Sequence, residues 1–457
     1  MYSLKLRITL LFLAIFLGLF SLTGCRSEDD EKEILQLWIM PNSPDPAADM
    51  LHVLRNFELE NPGIEVHVTV LDWSVAWTKI TTAASTHSGP DVVQMPTTWA
   101  ASISAMDALM PMDSLILASG GDSAFAEVSM KFARPIGRTV ATSVPWFVDV
   151  RPLFYRRDVL AEAGISPQTV LNWNDFRAAL LKIQQANLTI EGQVISPIGY
   201  PGKHDWNVIH NFAPWIWGAG GDFLDSTGSE SRLATKESID GILFYLSLVR
   251  DGFNSRKNLT KNTTQVSMDF DEGRLAFWFD GTNKTLYLDS PRFLGGSSKN
   301  VTARNYSVML PPSSPEGKRT YYFAGGSNLA VSKYTEHKRS AMALLRYLTS
   351  RPDVQLEFSR VAGFLPTLLS AYEYPYFKED ENRGIFQQMI PHLRAYPAVS
   401  YWGEIETEIL LRRFGNIFDL ITSSPQNAWP TKEILEEIRS ADREINRFIR
   451  RERERGK

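Results

Sequence analysis

One cysteine in 457 residues, Cys25, excludes any internal disulfide. Neither charge dominates, with 48 Lys and Arg against 52 Asp and Glu, so the basic excess of a nucleic-acid protein is missing. No H-E-x-x-H and no C-x-x-C occurs, and the seven His are scattered, so a zinc site lacks its ligand spacing. No G-x-x-x-x-G-K-[ST] is present, so the chain does not itself hydrolyse ATP. Asp269, Asp271 and Asp280 invite a calcium loop, but Gly273 falls one place early and no Glu closes it. Gly325 to Leu329 lacks the last glycine of a nucleophile elbow. Neither a metal nor a cofactor is expected.

After residue 22 no stretch reaches 18 apolar residues, so nothing later is long enough to span a membrane. The N-terminus differs. Lys5 and Arg7 precede an uncharged run from Ile8 to Leu22, shorter than the roughly 20 residues of a spanning helix and suited to a signal peptide. Leu22-Thr23-Gly24-Cys25 follows and resembles the lipobox of bacterial lipoproteins. That resemblance implies removal of residues 1–24, lipidation of Cys25 and an anchored protein outside the cytoplasm, on a cell surface or in a periplasm. Loss of Lys5 and Arg7 would leave a net charge of −6. Residues 25–33 are polar and charged and read as a flexible tether.

What is abundant is apolar and aromatic content: 44% hydrophobic residues, with 12 Trp, 15 Tyr and 25 Phe. The length suggests two or three domains. Ile34 to Ile39 reads as a buried strand, Met50, Val53, Leu54 and Phe57 as a helix face, and Ile64 to Val70 as an alternating strand. Residues 75–87 read as a second helix and Asp91 to Met95 as a third strand, an α/β pattern implying a parallel sheet. Further on, helices are expected over Glu237 to Asp251, Lys338 to Leu348 and Ile434 to Phe448, with a solvated charged tail from Arg450. Leu275 to Phe279 and Tyr321 to Ser332 read as strands, the latter broken at Gly325-Gly326.

Five stretches in order resemble the extracellular solute-binding proteins of bacterial ABC sugar importers, the family that includes maltose-binding protein. They are Phe57 to Val70, Ser88 to Val93, Val144 to Leu160 with Trp173, Phe270 to Ala276, and Gly325 to Val331 followed by Gly363 to Thr367. The resemblance implies an α/β fold of two lobes, hinged around a central cleft. It puts 34–146 and 305–350 in lobe 1 and 150–290 and 352–457 in lobe 2. The implied partners are a carbohydrate ligand and the membrane-embedded permease, with the protein a monomer and not an enzyme.

A sugar offers an apolar C–H face to an aromatic ring and hydroxyls to fixed carboxylates and amides. Asp149 matches by position an acidic sugar-contacting residue of the family, and Trp402 a stacking Trp. Trp99 follows a strand end, Trp73 ends the alternating strand, and Asp280 and Trp278 lie at the end of Leu275–Phe279. Trp215, Trp217 and Asn211 cluster before Gly218 to Gly221. Gly325, Gly326 and Ser327 could present backbone N–H groups or form a hinge. Arg151 could pair with Asp149 or with an acid group of the ligand, and the structural pairing is the one expected. Asn283 stands where the family's maltose-binding member has a Trp, which speaks against a maltodextrin ligand. Two other readings stay open: a non-sugar solute such as a polyol, sugar phosphate or peptide, and a secreted glycosidase using Asp149, Asp280 and Glu404.

Overall fold

The computed structural model describes residues 32–202, 205, 207–289, 301–425 and 427–455. Cys25, the expected signal peptide and most of the tether lie outside the described residues.

Strand β1 (Glu33–Ile39) alternates, and its inward side chains Leu35, Leu37 and Ile39 are fully buried. Each such side chain contributes about 1.5–3 kcal/mol of transfer free energy. Helix α1 (Pro46–Glu60) starts where the Asp45 carboxylate accepts from Ala48 N–H and Pro46 takes the first turn. Its stripe of Met50, Val53, Leu54 and Phe57 faces the core. Strand β2 (Ile64–Val70) runs parallel to β1, with Glu33 opposite Ile64 and Ile39 opposite Val70. Helix α2 (Trp73–Thr86) is capped by Asp72, which accepts from Ser74 N–H at 2.9 Å. Strand β3 (Val92–Pro96) is also parallel to β1 and feeds α3 (Thr97–Ala105). The β-α-β-α-β order read from the first 65 residues of the domain is therefore present as a parallel sheet.

Strand β4 (Val144–Val150) joins this first sheet. After only Arg151 and Pro152, β5 (Leu153–Arg156) belongs to a second sheet. The second sheet is completed by β6 (Ser196–Ile198), β7 (Leu275–Phe279) and β8 (Tyr306–Met309), in the order β8-β5-β7-β6. The chain then returns through β9 (Tyr322–Val331), antiparallel to both β3 and β4, and β10 (Leu365–Pro366). The first sheet thus reads β10-β4-β9-β3-β1-β2, and β11 (Leu393–Arg394) pairs with β9. Two α/β lobes with repeated crossovers result.

Helices α4 (Trp173–Ala186), α5 (Asn207–Gly218) and α6 (Lys236–Arg250) cover the second sheet, whose core joins Phe154, Trp173, Phe176, Trp215 and Phe277. Helices α7 (Lys338–Ser350) and α8 (Pro352–Ala362) pack on the first sheet, placing Leu344, Leu345, Val354 and Phe358 against Leu35 and Phe57. A π-helical stretch, Ile405–Leu410, runs straight into α9 (Leu411–Ser423). The last helix, α10 (Thr431–Arg455), buries Ile434, Ile438, Ala441 and Ile445.

The structure departs from the sequence reading in four places. Tyr306–Met309 hydrogen-bonds to Leu153–Arg156 in the second sheet, although it lies within 305–350. Residues 352–366 pack and pair in the first sheet's lobe, because α8 rests on α1 and β10 on β4. Strand β9 is not broken at Gly325-Gly326; the irregularity is a bulge between Ser327 and Asn328. The charged C-terminus continues as helix through Arg455.

Candidate functional site

Between the two sheets lies a cleft of about 560 Å³. Ends of strands and the turns after them build it, the usual ligand location in open α/β sheets. From the first lobe come Asn42 after β1, Trp73 of α2, Trp99 of α3 and Asp149 of β4, with Gly325 to Ser327 of β9. From the other side come Asn207 and His210 of α5, Asp280 and Asn283 after β7, and Glu406 and Thr407 of the π-helical stretch. Such π segments recur at functional sites.

One wall is aromatic. Trp99 sits edge-on between two other indoles, 5.9 Å from Trp73 and 5.5 Å from Trp77, and Trp73 is 46% exposed. The Asp72 cap fixes where α2 begins and so where Trp73 stands. Behind Ser327 the fully buried Gln94 ties three elements together. Its Oε1 accepts from Met40 N–H (2.9 Å) and Asn42 Nδ2 (2.8 Å), and its Nε2 donates to Ser327 Oγ (2.8 Å). Gly326 has φ +124°, and a Cβ there would meet Phe147 O at 2.2 Å, so only glycine lets β9 approach β4 at the cleft.

The floor is ionic. Arg151 Nη2 donates to Asp149 Oδ2 at 2.9 Å and to Asn207 Oδ1 at 3.2 Å, and its Nη1 lies 3.7 Å from Asp280 Oδ1. Asp280 Oδ2 also accepts from Trp278 Nε1 at 2.7 Å. Two buried atoms here, Asp149 Oδ1 and Arg151 Nε, have no hydrogen-bond partner. Burial pushes the Asp149 carboxyl up; the Arg151 guanidinium opposes this and Asp280 adds to it. Burial, assisted by Arg151, drives His210 well below its ordinary value, so its imidazole is neutral. His210 Nδ1 shares a 2.7 Å hydrogen bond with the Tyr396 hydroxyl and lies 3.7 Å from Glu406 Oε1. Burial pushes Glu406 up to about 8, with the Trp402 indole beside it acting in the opposite sense.

Six of the expected ligand residues line this cleft: Asp149, Asp280, Trp73, Trp99, Gly326 and Ser327. The other five sit elsewhere. Trp402 is 1% exposed, stacked 4.4 Å from Tyr396 and edge-on to Phe223, because the segment after it packs into the second lobe's core. Trp278 is buried and acts on the cleft through its hydrogen bond to Asp280. Trp217 is buried, donates to Asp222 Oδ1 at 3.0 Å and carries the Arg394 guanidinium over its ring. Trp215 and Asn211 line a smaller cavity behind the cleft, which shares Arg151, His210 and Phe323 with it. Glu404 is not among the lining residues. Sequence reasoning missed Asn42, Asn207, His210, Glu406 and Thr407 as site residues. For Glu406 the available signal was an acid four residues beyond Trp402.

Among the described residues no group of three or more His, Cys, Asp or Glu side chains could hold a metal ion, and no helix is long and apolar enough to cross a membrane.

Comparison with known proteins bears on this geometry. Residues 41–355 match the family model described as bacterial extracellular solute-binding protein. A putative binding protein of Brucella abortus is 23% identical over 354 residues, covering 77% of this chain and 80% of its own. A diacetylchitobiose binding protein of Streptomyces coelicolor is 25% identical over 351 residues, covering 72% and 74%. The structure of a sugar-binding protein of Xanthomonas citri superposes with a TM-score of 0.73 at 22% identity, covering 92% of this chain and 98% of the other. At that identity the structural likeness is one of fold.

Proposed function

We propose, on the premise that this chain belongs to the bacterial extracellular solute-binding protein family, that it captures a carbohydrate in the interlobe cleft and hands it to an ABC permease. The observation that carries this is the composition of the cleft. An exposed indole at Trp73 and a half-buried one at Trp99 stand over a floor of Asp149, Arg151 and Asp280, which is what a sugar's apolar face and hydroxyl edge require. Relatives with carbohydrate names, the diacetylchitobiose and arabinooligosaccharide binding proteins, support the same reading.

The mechanism follows from the crossovers, which the chain makes after β4, after β8 and again after β10. The lobes open and shut about the segments near Arg151 and between β8 and β9, and the ligand shifts the population to the shut form because it contacts both lobes there. The permease then recognises the shut form. In this reading Cys25 carries the lipid that keeps a monomeric receptor at the outer face of the membrane, and the chain supplies no catalysis or ATP hydrolysis.

A non-sugar solute is the second reading. The cleft argues against its anionic members, because Arg151 is already engaged by two carboxylates. The test is calorimetric titration of residues 26–457 with mono- and oligosaccharides, followed in parallel by tryptophan fluorescence. Saturable heat and a quenched or shifted indole signal with at least one carbohydrate are expected. Silence across the whole panel would sink the carbohydrate reading.

A further inference from the structure

The first lobe has a second hollow, a groove of about 670 Å³ between the end of α1 and one face of α7. Its charge opposes the acidic balance of the chain, 48 Lys and Arg against 52 Asp and Glu. Arg339, Arg346 and Arg351 line it, and Glu60 is the one acid among the described lining residues. Arg351 is taken, lying 2.9 Å from Glu60 and 2.9 Å from Asp353. The guanidiniums of Arg339 and Arg346 are exposed and have no partner among the described residues. They stand seven positions apart on one face of α7, separated by about 10 Å of helix.

The chain enters the lobe at the edge of this groove. Glu33 N–H donates to Gly63 O at 2.8 Å, two residues past the groove-lining Asn61. The Glu33 carboxylate accepts from Ser340 Oγ at 2.8 Å and lies 2.7 Å from His337 Nδ1, and these two residues flank Arg339 in sequence. Just upstream runs Glu28-Asp29-Asp30-Glu31, the longest acidic run in the chain. Three steps of extended chain cover about 10 Å, the spacing of the two arginines. A segment joined to the body here meets the groove at an effective concentration on the order of millimolar, so contacts too weak to hold a free peptide suffice.

We infer that this groove is the docking place of the chain's own acidic run, Glu28 to Glu31, with its carboxylates on the Arg339 and Arg346 guanidiniums. Guanidinium and carboxylate match in a two-pronged geometry. Docked, the run sets which face of the first lobe turns toward residue 25 and shortens the arm between them. This holds whatever solute the cleft takes. An anionic lipid surface offers the same charge to the two arginines, but the rest of the chain, acidic on balance, repels it.

The test uses residues 26–457, which contain no cysteine. Spin labels are placed at Ser27→Cys and at Leu117→Cys, a site 76% exposed beside the groove-lining Ala118. Their separation is read by double electron–electron resonance, and a narrow distance peak is expected. Arg339→Glu with Arg346→Glu should cut the share of molecules in that peak about threefold or more, the worth of such exposed pairs. Adding Glu28→Lys, Asp29→Lys, Asp30→Lys and Glu31→Lys to that chain should restore the peak. Where the arginine variant does not fold, Glu28→Gln, Asp29→Asn, Asp30→Asn and Glu31→Gln, which alter no described residue, should cut it in the same way. So should about 1 M salt, which shortens the screening length to roughly 3 Å. A broad distribution in the chain with its natural charges, or a narrow one that charge reversal leaves as it is, overturns the inference. Binding of residues 32–457 to phosphatidylglycerol vesicles, lost in Arg339→Glu with Arg346→Glu while the distances stay broad, overturns it too and gives the groove to the membrane. Carbohydrate titration is a separate readout, so neither reading falls with the other.

Discussion

Asp149 Oδ2 accepts from Arg151 Nη2 at 2.9 Å, while Oδ1 of the same carboxylate is buried and meets no donor. One guanidinium therefore holds two carboxylates in a site largely closed to water, since Asp280 lies 3.7 Å from its other terminal nitrogen. Removing it as Arg151→Leu leaves two adjacent like charges uncompensated. Breaking a buried pair in this way costs about 3–5 kcal/mol. Urea unfolding of the variant at neutral pH should show a loss in that range. A loss under about 1 kcal/mol, the size of an exposed pair, would mean that Arg151 does not compensate the floor.

The aromatic wall and the aromatic core should separate experimentally. Trp73 is 46% exposed and Trp99 is partly buried at the cleft, whereas Trp402 is 1% exposed beneath Tyr396 and Phe223. Trp73→Ala and Trp99→Ala are expected to weaken carbohydrate binding by about 1–2 kcal/mol each, the worth of an aromatic contact, with the Trp73 variant nearly as stable as wild type. Trp402→Ala should instead cost about 3–5 kcal/mol of stability through its cavity. Titration and thermal unfolding of the three variants side by side check this, and a Trp402→Phe protein that folds but no longer binds would reverse the assignment.

Gly326 is a backbone device. With φ +124° and Phe147 O only 2.2 Å from where a Cβ would sit, Gly326→Ala must push β9 off β4. Overpacking costs about 1–3 kcal/mol, and the φ penalty of an L-residue adds about 1–2 kcal/mol. Because these strands meet at the cleft, ligand affinity should fall together with stability. Gly384→Ala has open space and no such φ; inside the helix Glu381–Met389 it should gain about 0.5–1 kcal/mol, and it serves as the unstrained control.

The local elements were legible because they are periodic. Leu35, Leu37 and Ile39 alternate, and Met50, Val53, Leu54 and Phe57 recur at helical spacing, so β1 and α1 follow from the sequence. What period cannot show is which strands pair at a distance. Tyr306–Met309 and Leu365–Pro366 are too short to carry a pattern, and each finds its lobe only by hydrogen-bonding to β5 or β4. The site divides likewise. Asp149 and Asp280 sit just where strands end, a position readable in sequence, and both reach the cleft. Trp402 and Trp278 are chemically suited to a sugar yet packed away, since a Trp serves a core as well as a cleft. Glu406 had only its spacing four residues beyond Trp402 to mark it, and the π-helical setting that turns it to the cleft has no sequence signature.

Glu406 makes the pH dependence of this fold testable. Its carboxyl is buried against Trp402 and pushed from an ordinary 4.5 up to about 8. The folded state therefore favours the neutral form. The group's contribution to stability is complete below about 4.5 and is lost as pH rises through about 8. Between those limits the loss runs at about 1.4 kcal/mol per pH unit for one proton. In Glu406→Gln the side chain keeps its size and a donor but cannot ionise. Urea unfolding at pH 5, 6.5 and 8 should thus show wild type losing stability relative to the variant at each step, whatever the other titrating groups do, because those are common to both proteins. Parallel curves would show that the carboxyl ionises in the fold as easily as in water. The neutral carboxyl would then no longer be available as a hydrogen-bond donor on the wall of the cleft.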